Sequence, residues 1–250
     1  MNTDGSGVAN LTTSPEDVKT GFGQSYAQWS PDGSMIAYDG DDGLYVMNAD
    51  GSDQRKLAYG ASPTWSPNGA WIAFVVGRDH GADLWKIHPD GTGLTQLTHS
   101  TGSDQLPAWS PDGSRVAFLR ENAIYAVNSD GTGTSVVAEI KGMYLFQPQW
   151  SPDSDHLAFE ADNGQETDIF IADADGSHIT PLAADPKLDE NWPVWSPDGS
   201  LIAFAATDDL SPLNDGSWDL FVMNSEGTER RQLTRDAGLG AEFDITWQRV

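Results

Sequence analysis

Trp29-Ser30-Pro31-Asp32-Gly33-Ser34 is the stretch that decides the fold, because it recurs along the whole chain. Copies begin at Trp65, with Asn68 in place of Asp, at Trp109, at Trp150, with Ser154 in place of Gly, and at Trp195; a bare Trp247 follows. The tryptophans stand 36, 44, 41, 45 and 52 residues apart. A period near forty is the length of one four-stranded unit. Within each copy, Trp closes a buried strand and Ser-Pro-Asp-Gly forms a reverse turn. Pro presets φ at the second turn position, Asp suits the third and Gly takes a positive φ at the fourth.

The rest of each unit follows in fixed order. A short apolar strand comes next, at Met35 to Tyr38, Trp71 to Val76, Val116 to Leu119, Leu157 to Phe159 and Leu201 to Ala205. A variable polar loop then leads to a third strand, such as Leu44 to Met47 or Ile124 to Val127. A second turn closes on Gly51, Gly91, Gly131, Gly176 and Gly227, and a weaker fourth strand ends at Leu57, Leu97, Val137, Leu182 and Leu233. The expected fold is all-β: a β-propeller of four-stranded antiparallel blades, near 25–58, 61–98, 105–137, 146–182 and 191–234. One ring-shaped domain over 1–250 is expected, with five complete blades and an incomplete sixth formed from the two termini, residues 1–13 and 242–250. That blade is short by roughly twenty residues on the repeat period. Its open edges favour self-association.

These repeated residues resemble the TolB-type propeller repeats, also called WD40-like or PD40 repeats. The resemblance implies a bacterial periplasmic or secreted home, although no signal peptide is evident in this chain, and it implies docking of a protein or peptide within envelope complexes. Propellers serve many functions, so the fold alone does not choose one.

Composition narrows the choice. The formal charge is −25, from 38 acidic against 13 basic residues, which opposes binding to phosphate backbones and anionic lipid. Many aspartates belong to turns, where they are structural. There is no Cys, so disulfides and thiolate chemistry are excluded. No apolar run is long enough for a membrane-spanning helix.

If the Trp strands run down the central channel, both repeated turns lie on one face and the variable loops on the other. Residues three or four before each Trp then enter the channel mouth. The expected ligand contacts are Tyr26, Gln105, Phe146, Gln147, Asn191, Trp192 and Asp244, an amide and aromatic rim suited to a peptide or sugar. The repeat tryptophans themselves are expected to be buried and structural. Asp39 to Gly43 and the Asp208, Asp209 and Asp215 loop offer carboxylates, but neither has the spacing that gathers six or more oxygens around calcium. The five histidines, His80, His88, His99, His156 and His178, show no metal-ligand spacing. No metal site, catalytic residue or cofactor is therefore assigned. Gly23-Gln-Ser-Tyr-Ala27 and Gly60-Ala-Ser-Pro-Thr64 lead into Trp strands rather than nucleophile elbows.

The expected function is a non-catalytic scaffold that docks a protein or peptide at the channel mouth. Two alternatives stand beside it. One is a metal-assisted lyase of the oligogalacturonate type, which shares this kind of propeller and uses a His/Gln metal cluster; the other is a repeat fragment that assembles with its own copies.

Overall fold

The computed structural model describes residues 26–40, 42–207, 218–235, 245 and 247. Five four-stranded antiparallel sheets occupy residues 27–58, 61–96, 104–139, 144–183 and 189–232, called blades 1 to 5 below. Each is a plain up-and-down meander, and no helix occurs among the described residues. The innermost strands are Ala27–Trp29, Ala61–Trp65, Asp104–Trp109, Tyr144–Trp150 and Asp189–Trp195.

The repeated turn works through its side chains. The Gly33 N–H donates to the Ser30 carbonyl at 2.9 Å, with Gly33 at φ +69°. Asp32 Oδ1 accepts from the Ser30 hydroxyl at 2.6 Å and from the Ser34 N–H at 3.0 Å. The same pattern surrounds Asp112, Asp153 and Asp198, and Asn68 reproduces it with its amide oxygen. These hydrogen bonds, led by the serine hydroxyl, hold the Asp32 and Asp198 carboxyls down to about 2. Much of the acidic composition is thus turn architecture.

Inside the blades, the second strands bury Phe74, Phe118, Phe159 and Phe204 completely. Three of these stack on the third strand, Phe118 on Tyr125 at 5.7 Å, Phe159 on Phe170 at 6.1 Å and Phe204 on Phe221 at 5.5 Å. Between blades, each Trp inserts into an Ala and Leu or Ile pocket on the preceding blade: Trp65 with Ala37 and Leu44, Trp109 with Ala73 and Leu84, Trp150 with Ala117 and Ile124, Trp195 with Ala158 and Ile169. Truncating a side chain packed this way costs about 3–5 kcal/mol. The indole N–H then latches onto the preceding inner strand, Trp65 to the Gln28 carbonyl at 3.0 Å, Trp150 to Ala108 at 3.0 Å and Trp195 to Gln149 at 3.3 Å.

Basic residues stitch the turn face. Arg55 reaches the Pro89 carbonyl at 2.7 Å, Lys86 that of Ser129 at 2.6 Å and Arg115 that of Ala174 at 2.8 Å, each the second residue of the next blade's Asp-Gly turn. Glycine closes the same seam: at Gly227, with φ +74°, an added Cβ would stand 2.5 Å from the Leu182 carbonyl oxygen.

One expectation is corrected. Trp29 is 57% exposed, because the pocket that buries Trp65, Trp109, Trp150 and Trp195 belongs to a preceding blade, and none stands before blade 1 among the described residues; Trp247 is half-buried. The expected terminal blade, 1–13 and 242–250, lies outside the described residues apart from Ile245 and Trp247.

Candidate functional site

The channel opens as a cavity of about 920 Å³. Its wall is built from one position in every repeat. Ala27, Pro63, Pro107, Pro148, Pro193 and Ile245, each two residues before a Trp, line it together with the residues on either side. Proline is tolerated there because the inner strand is a sheet edge with no neighbour to receive its N–H. The residue before each proline takes a left-handed conformation, Ser62 at φ +56°, Leu106 at +50°, Gln147 at +50° and Trp192 at +55°. Strand register breaks at the same place, for instance between Phe146 and Gln149 and between Asn191 and Val194. The resulting bulge re-aims the chain at the mouth.

That bulge decides which expected residues meet the cavity. Tyr26, Gln147 and Trp192 line it, beside Leu106. Gln105, Phe146 and Asn191 are outside that lining and pair with Leu119, Glu160 and Ala205 on their second strands. Asp244 lies outside the described residues. The lining also holds Gln28, Thr64 and Gln149, which sequence reasoning passed over; the recurring Pro two residues before Trp was the available signal.

In a chain of charge −25, the lining carries no carboxylate, imidazole, ammonium or guanidinium group among the described residues. Its polar groups are amides, hydroxyls and the Tyr26 phenol. Tyr59 (74%), between the last strand of blade 1 and the inner strand of blade 2, and Tyr144 (55%) and Phe146 (36%), on the inner strand of blade 4, are exposed aromatics. Trp192 is steadied by an edge contact with the buried Trp218, ring centroids 4.9 Å apart.

Charged groups stand behind the wall rather than in it. Asp39 Oδ1 accepts from the Ser62 N–H at 2.8 Å, and Glu160 Oε1 accepts from the Trp192 N–H at 2.7 Å. The two acids occupy the same repeat position, where Val75, Leu119 and Ala205 stand in the other blades. Burial pushes Asp39 up to about 6 and Glu160 up to about 7.

Five residues before the Trp, blades 3 and 5 bury Asp104 and Glu190 completely. Arg120 grips Asp104 through two bonds of 2.6 and 2.9 Å, and Arg230 meets Glu190 at 2.5 Å. Arg120 comes from the second strand and Arg230 from the approach to the fourth, yet both lie over the aromatic pair of their blade, Phe118 with Tyr125 and Phe204 with Phe221. Glu190 is nevertheless raised to about 7 by burial, which outweighs Arg230, and Asp168 is raised to about 6 by burial and by neighbouring Glu166 and Asp189.

No three His, Asp or Glu side chains converge as metal ligands among the described residues. Asp42 is engaged by Lys56 at 2.7 Å and by the Tyr45 hydroxyl at 2.8 Å, whereas Asp41, Asp208, Asp209 and Asp215 lie outside the described residues. His156 and His178 meet Asp173 on the turn face, and His88 stacks on Trp71.

No family model matches the chain. The Tol-Pal system protein TolB of Anaeromyxobacter dehalogenans is 34% identical over 157 residues, covering 58% of this chain and 36% of that protein. A solved structure named for TolB from Agrobacterium tumefaciens superimposes with a TM-score of 0.67 at 19% identity, covering 83% of this chain and 79% of that one. The chain is a TolB-like β-propeller. An uncharacterized protein of Agrobacterium fabrum is 28% identical over 153 residues, 52% of each chain. This TolB-like propeller thus spans about half or less of the length of these curated relatives. An oligogalacturonate lyase in complex with manganese reaches a TM-score of 0.66 at 15% identity, covering 82% of this chain and 63% of that one, a likeness of fold alone. No helix among the described residues is long and apolar enough to cross a membrane.

Proposed function

We propose that this TolB-like propeller is a non-catalytic binding scaffold that docks a protein or peptide at its channel mouth, in the bacterial periplasm or outside the cell. Tyr26, Gln147 and Trp192 are its inner contacts, and Gln105, Phe146 and Asn191 belong to the rim. The observation that carries this reading is the uncharged lining, with Tyr144 and Phe146 exposed on the same inner strand as the lining residue Gln147. Amides and flat apolar rings hold polypeptide by hydrogen bonding and desolvated contact. General acid or base catalysis needs a titratable group within reach of the reacting atoms, and the described lining offers the Tyr26 phenol alone. Likeness to TolB proteins supports a protein as the ligand.

Photo-crosslinking in the native host tests the proposal. A benzophenone amino acid at Tyr144 or Gln147 should capture one defined protein, and the same group at Glu226 on the turn face should not. Capture from Glu226 alone, or release of an unsaturated product from polygalacturonate by the purified chain, would overturn it.

A further inference from the structure

The chain builds one pair of buried acids at two blade junctions and balances only the first with arginines. Where blade 2 meets blade 3, Asp83 stands near the start of a third strand and Asp104 opens the next inner strand; the residues before them, Ala82 and Ser103, pair directly. Where blade 4 meets blade 5, Asp168 and Glu190 hold the same two repeat positions, and the residues before them meet as well, the Thr167 N–H donating to Asp189 Oδ1 at 2.9 Å. Blades 1 and 3 carry Gly43 and Ala123 at the first position and begin no such pair. None of the four acids is more than 7% exposed.

At the first junction each acid has its own guanidinium. Arg78 Nε donates to Asp83 at 3.0 Å, and Arg120 holds Asp104. Arg78 also donates to the Ser100 and Gly102 carbonyls, so it fastens the connection between the blades. The second junction has Arg230 on Glu190 alone. Asn163 occupies the repeat position of Arg78, five residues before the acid in both blades, and its Oδ1 is engaged within its own turn by the Gln165 N–H at 2.9 Å. Asp168 Oδ1 and Glu190 Oε2 are buried with no hydrogen-bond partner among the described residues. Half-buried Glu166 and Asp189 add negative charge beside Asp168. Carboxylate oxygens taken out of water in this way call for a counter-charge.

We propose that the junction of blades 4 and 5 binds a small hard metal cation through Asp168 Oδ1 and Glu190 Oε2, which does for this acid pair what the Arg78 guanidinium does for Asp83. Both side-chain donors are carboxylate oxygens, with no imidazole or thiolate beside them, which selects calcium or sodium over zinc. Two side chains supply ligands, so main-chain carbonyls and water complete the shell. Asp168 and Glu190 are not part of the channel lining, so this site is separate from the mouth and fastens one blade to the next.

Thermal unfolding of the full chain, stripped with a chelator and held at pH 8 and constant ionic strength, tests this against tetramethylammonium chloride, whose cation is too large for the site. Calcium or sodium should raise the midpoint by at least about 2 °C over that reference, and which ion does so separates a divalent from a monovalent site. Asp168→Asn should lose the excess. Asn163→Arg, which brings the guanidinium of blade 2 to blade 4, should lose it too, and it keeps the test open even if Asp168→Asn fails to fold. A chain of formal charge −25 attracts cations over its whole surface; each variant changes that charge by one unit, so the surface response stays and only the site's response is removed. No excess over tetramethylammonium in the wild type, or an excess retained in either folded variant, would overturn the proposal and leave an adventitious surface response only.

Discussion

Glu160 is the sharpest place to test how burial is balanced in this propeller. Its carboxylate is almost entirely buried between blades 4 and 5, and its one protein hydrogen bond comes from the Trp192 N–H. Its pKa rises from 4.5 to about 7. An acid whose folded pKa lies above its unfolded value binds more protons when folded, so its stability contribution is full at low pH and is lost as pH rises through the folded pKa. A rise from 4.5 to about 7 corresponds to a cost of about 3 kcal/mol above pH 8, falling to under about 1 kcal/mol at pH 5. Glu160→Gln keeps an oxygen for the Trp192 N–H and cannot ionise. Urea unfolding at pH 5 and pH 8 should therefore show the variant gaining about 2 kcal/mol on the wild type between the two conditions. Any fixed cost of placing an amide there cancels in that difference, as do the other acids common to both chains. Parallel stability curves would refute the reasoning and show that Glu160 does not titrate in this range.

Arg230→Ala should destabilise by about 3–5 kcal/mol at pH 8, since it leaves the fully buried Glu190 without its counter-charge; the loss should shrink at pH 5, where Glu190 takes up a proton, and equal losses at both pH values would contradict this account. Thermal midpoints from pH 2 to 9 should peak near about pH 4–5, because the turn aspartates Asp32 and Asp198, lowered from 3.8 to about 2, lose their contribution as pH falls through that range, while Asp39, Asp168, Glu160 and Glu190 lose theirs as pH rises through about 6 to 7. A maximum at pH 8 would show that these groups do not dominate the profile.

Sequence by itself determined the repeat, the turns and the all-β class, because these rest on short-range chemistry. Ser30, Pro31, Asp32 and Gly33 close their turn using groups within five residues, so the local string is sufficient. Burial of Trp65, Trp109, Trp150 and Trp195 was equally legible, since an apolar strand recurring at this period has only the neighbouring blade to pack against. Tertiary structure alone decided which mouth residues face the channel. A bulge at the residue before each proline breaks the two-residue alternation, so Gln147 and Trp192 reach the cavity where strict strand phase could not separate them from Phe146 and Asn191. It alone decided the fate of Trp29, whose burial depends on whatever stands before blade 1, a partner not encoded in its own repeat. It also revealed that Arg120 and Arg230 serve one purpose from different strands, because a long side chain is placed by the space it fills over Phe118 and Phe204, and no spacing in the sequence records that convergence.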